Sequence, residues 1–176
     1  MGVRSLAAGR TKFTILTTKP ADPENPTAAE LNAGIQADPV VMKNDFLWGA
    51  TDSEKIDEPT LRQKNKSNAI GEGNYEGGAT FFRYWKTAGG GADTGVDGED
   101  LAFQAVKVKG TTLWGYARHT DKDADEPWEA GDEIYLGADF ITDEPQRPSD
   151  MGGYTKWRVP FEIQTAYPWI AVSAAA

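Results

Sequence analysis

Residues 45–86, DFLWGATDSEKIDEPTLRQKNKSNAIGEGNYEGGATFFRYWK, read as strand, polar excursion, strand. Phe46 to Trp48 start a strand that runs toward Ile56, Pro59 interrupts it, and Ala79 to Lys86 is an aromatic-rich, buried strand. Between them Thr60 to Ser67 alternates. Arg62, Lys64 and Lys66 fall on one face, and Leu61, Gln63, Asn65 and Ser67 on the other. Neither face is apolar enough to enter a core, so both meet water or another polar surface. Gly71 to Gly78 is a glycine-rich link. A long excursion from a β framework that holds no catalytic constellation is a device for contact, and it turns the functional question toward a partner.

The flanking sequence supplies the framework. Lys12 to Thr18 is a β-rich first strand, and Pro20 to Pro26 is a turn-rich linker. Thr27-Ala-Ala-Glu30 is a capping-box pattern opening a helix from Ala28 to Ala33 that stops at Gly34. Val40 to Met42 re-enters the sheet. Asp97 is a candidate cap for a second helix, with Glu99 and Asp100 in its first turn and an apolar stripe of Leu101, Phe103, Ala105 and Val106. Thr111 to His119 is a strand, Asp121 to Trp128 an acidic turn, and Ile134, Leu136, Ala138 and Phe140 form one apolar face of the next strand. In the C-terminal strand Trp157, Val159, Phe161 and Ile163 share a face, while Pro160 favours an edge position or a bulge. Strand and helix do not alternate as in a parallel sheet. The expected fold is mainly β, an antiparallel sandwich or partly open barrel with one or two short helices.

At 176 residues, one domain is the default, large enough to bury roughly 70% of the unfolded surface without disulfide or metal. The expectation is a single domain over 1–176, with flexible ends at 1–10 and at the small-residue tail 171–176. Met1 to Arg10 has no apolar core of signal-peptide length, Leu6 stands where a myristoylation signal has Ser or Thr, and no run is long enough to span a bilayer. A soluble, unanchored protein with no membrane partner is expected. The net charge of −9 lies wholly in residues 91–176, since residues 1–90 balance. Tight nucleic-acid binding needs Lys and Arg against phosphates, so this charge argues against it and fits a surface that DNA passes without sticking.

Tests for chemistry return structural readings. Without cysteine there is no thiolate site, disulfide or cysteine nucleophile. The one histidine, His119, ends a strand, and no Gly-x-Ser-x-Gly elbow presents a nucleophile to it. Asp121, Asp123 and Asp125 start like a calcium loop, but Glu126 replaces the glycine its sharp turn needs. A second acidic group, Asp93, Asp97, Glu99 and Asp100, is accounted for largely by helix capping. Gly71 to Gly73 and Gly77-Gly78 lack the Lys-Ser/Thr ending of a phosphate loop. The expectation is no catalytic residue, no metal and no cofactor. Six tryptophans (48, 85, 114, 128, 157 and 169) suit core packing or a subunit interface better than a sugar-stacking platform. A carbohydrate-binding β-sandwich is the alternative, and a hydrolase the weakest reading.

These segments, in order, resemble a known family. They are the first strand, Pro26-Thr-Ala-Ala-Glu-Leu-Asn-Ala-Gly34, Asp57-Glu-Pro-Thr-Leu61, a polar loop, Asn74-Tyr-Glu-Gly-Gly-Ala-Thr-Phe-Phe-Arg-Tyr84, a helix, Arg118, Gly131-Asp-Glu-Ile134 and a last strand from Tyr154. The chain is similar, over about residues 11–172, to the major tail tube protein of long, non-contractile-tailed bacteriophages, especially those of actinobacteria. The resemblance implies a β-sandwich subunit that self-assembles into hexameric rings. These stack into a tube around the tape measure protein, closed by tail terminator and tip proteins, and the tube conducts DNA during ejection without binding it specifically. It implies residence in the phage tail, after assembly in the host cytoplasm. Candidate inter-subunit or inter-ring contacts are Arg62, Lys64, Lys66, Glu72 and Tyr75; the lumen-lining residues stay unassigned.

Overall fold

The computed structural model describes residues 6–58, 60–62, 64, 69–95, 98–149 and 152–174. In chain order these form β1 (Thr11–Leu16), α1 (Ala28–Ala33), β2 (Ile35–Gln36), β3 (Leu47–Thr51), β4 (Lys55–Ile56), β5 (Ala69–Ile70), β6 (Asn74–Phe82), α2 (Leu101–Val106), β7 (Thr112–His119), β8 (Glu133–Thr142) and β9 (Lys156–Ala171). Seven strands make one antiparallel sheet in the order β2-β1-β7-β8-β9-β6-β3, while β4 and β5 pair only with each other.

The sheet is rolled so that its ends face one another. Trp48 of β3 reaches across to Phe13 of β1 at 5.1 Å between ring centroids and to Phe140 of β8 at 5.4 Å, and its Nε1–H donates to the carbonyl of Leu136 at 3.0 Å. The edge strands β2 and β3 do not pair, so the barrel stays open. Residues 37–42 partly cover the seam: the N–H of Ala37 donates to Phe13 O, that of Met42 to Thr80 O, and that of Phe82 to Val40 O. The fold is thus mainly β, as expected, in its partly open form.

Two apolar clusters hold the roll. The main one fills the concave side with Phe13, Ile15, Trp48, Phe81, Phe140 and Phe161 among others, and α2 adds Ala102, Phe103 and Val106. The smaller one lies on the opposite face, where Leu31 of α1 packs with Leu16, Tyr116, Trp128, Ile134 and Val172. The capping box of α1 forms as read: Thr27 Oγ1 accepts from the N–H of Glu30, and Glu30 Oε2 accepts from the N–H of Thr27 at 2.9 Å. Gly34 follows the helix where a side chain does not fit, because a Cβ there would run into Leu16 Cδ2 and stand 2.7 Å from Thr14 Cγ2.

Several expectations are corrected. The strand from Phe46 ends at Thr51 instead of running to Ile56, and β1 stops at Leu16. The glycine-rich link is itself strand, since β6 begins at Asn74; Gly77 lies beneath the Trp48 ring and Gly78 pairs with Pro160. Pro160 sits in an interior strand, not at an edge. The β8 ladder ends at Thr142↔Phe161, and the carbonyl of Pro160 then accepts from Asp143 N–H, so the missing proline N–H falls where that ladder has stopped. The bulge in β9 lies further on, between the Asp139 and Phe140 pairings. Asp97 lies outside the described residues; Asp100 takes the N-cap position of α2 but turns its carboxylate to Arg83. In the small-residue tail from 171, Val172 is buried, and Ser173 N–H donates to Pro26 O.

Candidate assembly surface

β3 and β6 pair from Leu47↔Gly78 to Thr51↔Asn74, and the ribbon then continues outward as an arm. The N–H of Glu54 donates to Glu72 O at 3.1 Å, that of Gly71 to Glu54 O at 2.7 Å, and Lys55↔Ile70 and Ile56↔Ala69 form the β4–β5 pair. Asn74 Nδ2 donates to the carbonyl of Asp52 and ties the base of the arm. Backbone pairing alone makes this ribbon, because its side chains face solvent. Ile56, Leu61 and Ile70 are exposed, Leu61 and Ile70 almost completely. Ile56, Leu61 and Ile70 thus leave aliphatic surface uncovered on this projection.

The expected contact residues divide between tip and base. Arg62 and Lys64 lie exposed near the tip, where the described backbone is turn and coil instead of strand. Lys66 lies outside the described residues. Glu72 is exposed at the base. Tyr75, in β6 opposite Ala50, is half-buried against the main apolar cluster.

Buried ion pairs stiffen the body behind this arm. Arg118 is wholly buried; its guanidinium donates to Asp132 Oδ2 at 2.7 Å and to the carbonyls of Asp123, Glu126 and Pro127, closing the acidic turn. Burial pushes the Asp132 carboxyl up, but hydrogen bonds from Lys122, the Glu129 N–H and Arg118 outweigh it and hold it below the ordinary carboxylate value. Asp100 is alike. Against the upward push of burial, hydrogen bonds from Arg83, Gln104 and the Tyr84 N–H keep it low. The Arg83 guanidinium also lies 4.1 Å from the Phe103 ring centroid and 4.8 Å from that of Trp85. The buried role of Arg118 was not read from the sequence; an arginine directly before a run of turn carbonyls is the signal that points to it.

No described constellation organises catalysis. His119 Nδ1 and Thr11 Oγ1 are 2.8 Å apart, but they are directly opposed residues of the β1–β7 ladder and no carboxylate orients the ring. A groove of about 560 Å³, lined by Phe13, Val41, Phe46, Asp38 and Thr11 among others, passes beside them. Burial pushes Asp38 up and Lys12 down, and Lys12 Nζ donates to the Ala124 carbonyl at 2.9 Å. Among the described residues no three His, Cys, Asp or Glu converge to hold a metal, and no helix is long and apolar enough to cross a membrane. Of the tryptophans, Trp48 and Trp128 are interior, whereas Trp85 and Trp169 are exposed.

An open, rolled β-sheet with ion-paired turns and a projecting, unburied ribbon defines a structural building block. The sequence profile of phage tail tube proteins matches residues 1–176, and the chain belongs to that family. No curated protein matches it. It is therefore a structural protein of the virion tail, one whose copies assemble into a tube.

Proposed function

We propose that six copies close into a ring through heterologous contacts and that rings stack head to tail, the β4–β5 arm of one copy touching another. The observation that carries this reading is the arm itself, which exposes Ile56, Leu61, Ile70, Arg62 and Lys64 and packs none of them on its own body. A heterologous interface joins two different patches, so it closes into rings or continues as a filament, and a tube needs both. Polar and charged residues between the aliphatic ones keep the ribbon from indiscriminate edge pairing.

In this reading the tube surrounds a tape measure protein, ends at terminator and tip proteins, is assembled in the host cytoplasm and conducts DNA during ejection. The surplus of carboxylates in residues 91–176 supports a lumen that repels phosphates and keeps DNA mobile. Negative-stain microscopy of the purified chain over a concentration series tests the proposal. Rings of six and stacked tubes are the expected result, and a chain monomeric at every concentration and missing from purified virions refutes it. Charge reversal of lumen carboxylates is expected to slow ejection while leaving tubes intact; normal ejection by such variants removes the DNA-repelling role.

A further inference from the structure

Asp139 sits in the interior of the sheet, opposite Trp114 on β7 and Thr165 on β9. Its neighbours Ala138 and Phe140 enter the main core, so Asp139 belongs to the other face. There its Oδ1 is shielded from solvent and accepts no hydrogen bond. Buried acceptors are nearly always satisfied in a finished structure, and an ionisable one most of all. The β8–β9 ladder bulges directly beside it, with Gln164 as the extra residue, and bulges of this kind re-aim side chains next to functional surfaces.

The surroundings suit a cation. Half-buried Trp114, opposite Asp139 on β7, and half-buried Tyr167, two residues from its β9 partner Thr165, are its aromatic neighbours, while Thr165 is exposed. The local field is negative: after burial itself, Asp139, Glu24 and Asp22 push the Tyr167 hydroxyl up. A carboxylate beside aromatic side chains is an environment that binds guanidinium and ammonium groups. The chain supplies such groups at the arm tip. Residues 60–68 contain Arg62, Lys64 and Lys66 and no acid, and Leu61 next to Arg62 is fully exposed. Neither Arg62 nor Lys64 has an ion-pair partner among the described residues.

We propose that the face of β7, β8 and β9 around Asp139 receives the cationic arm tip of a second copy of this chain, whose Arg62 or Lys64 completes the Asp139 carboxylate. The inference rests on the self-assembly reading and adds the acceptor that the arm meets.

The chain has no cysteine, so introduced thiols report on one contact alone. Assembled tubes of a Lys64→Cys, Thr165→Cys double variant, oxidised and run on a non-reducing denaturing gel, are expected to give a ladder of covalent multimers, and each single variant only monomer. Asp139→Asn gives a second readout. It leaves the melting midpoint of the monomer unchanged or higher, because Oδ1 has no hydrogen bond to lose, yet raises the concentration needed for assembly by roughly tenfold. Tubes of the double variant that stay monomeric on the gel overturn the inference and leave the self-assembly reading standing, as does Asp139→Asn assembling like the wild type. If the double variant does not assemble, the Asp139→Asn titration decides. A wild-type chain that never assembles removes both.

Discussion

Trp48 of β3 lies against Gly115 of β7, although β8, β9 and β6 stand between those two strands in the sheet. A Cβ at Gly115 would come within 2.8 Å of the indole. This contact measures how far the sheet has rolled, because a flat sheet would keep the two residues several strand widths apart. Gly115→Ala should therefore overpack the core and cost about 1–3 kcal/mol. Trp48→Ala should cost about 3–5 kcal/mol, since it empties the same space and leaves the Leu136 carbonyl without its donor. Urea unfolding midpoints check both. A Gly115→Ala protein as stable as the wild type would show that the indole moves freely and does not set the roll.

The Arg118–Asp132 pair is the second place where one substitution should tell. Arg118 is wholly buried, and among the described residues Asp132 supplies its one carboxylate partner. Asp132→Ala leaves a buried guanidinium without counter-charge and should cost about 3–5 kcal/mol. Lys122 reaches Asp132 Oδ1 at 2.6 Å from a partly exposed position, so Lys122→Ala should cost clearly less. Equal losses in denaturant titrations would mean that Lys122, not Arg118, is what Asp132 serves.

These pairs set the response to acid. Asp100 and Asp132 are held below the ordinary value of 3.8 in the fold. The unfolded chain then binds more protons than the folded one in that range. Their stabilisation is therefore full above 3.8 and disappears as pH falls through the folded values. Asp38 runs the other way. Burial raises it, so its contribution is present at low pH and lost as pH rises through its folded value. Melting midpoints followed from pH 7 to pH 2 should fall steeply below about pH 4. Asp38→Asn should raise the midpoint at neutral pH and leave the acid limb in place. An acid limb that survives in both Asp100→Asn and Asp132→Asn would assign it to other carboxylates.

What could be read from the sequence divides by the range of the interaction. The capping box at Thr27 and Glu30 is a three-residue device, and it formed as read. The alternation of Leu136, Ala138 and Phe140 gave one face of β8 because period two is a local property, whereas Ile134, read with them, packs in the smaller cluster. Tyr116 and Arg118 alternate with Leu113, Gly115 and Ala117 along β7, yet both are buried: the Tyr116 hydroxyl donates to Pro23 O far back along the chain, and the 123–132 turn closes over Arg118. Gly77 passed for a link residue because only the distant Trp48 ring shows why no side chain fits there. Val172 is held by Asp132, and small neighbours in sequence gave no sign of it. At the surface, Arg62 and Lys64 were legible as exposed cations. Asp139 was not, since one acid in an alternating strand looks solvated until its shielding is known.

The arm gives the sharpest separation between stability and assembly. Arg62 and Lys64 are exposed and make no ion pair among the described residues, so Arg62→Glu with Lys64→Glu should leave the monomer's melting midpoint where it is, as surface substitutions do. The same pair reverses the charge of the tip and should abolish tubes in negative stain and in sedimentation. Leu61→Ser should weaken assembly by removing apolar contact instead of charge, and the two classes respond differently to salt. At 1 M salt the screening length is about 3 Å, so a charge-led contact of the wild type should need a higher protein concentration to form, whereas a Leu61-led contact should not. Tubes that form normally from the reversed-charge variant at low salt would take the arm tip out of the assembly surface and move the search to the open edges at β2 and β3.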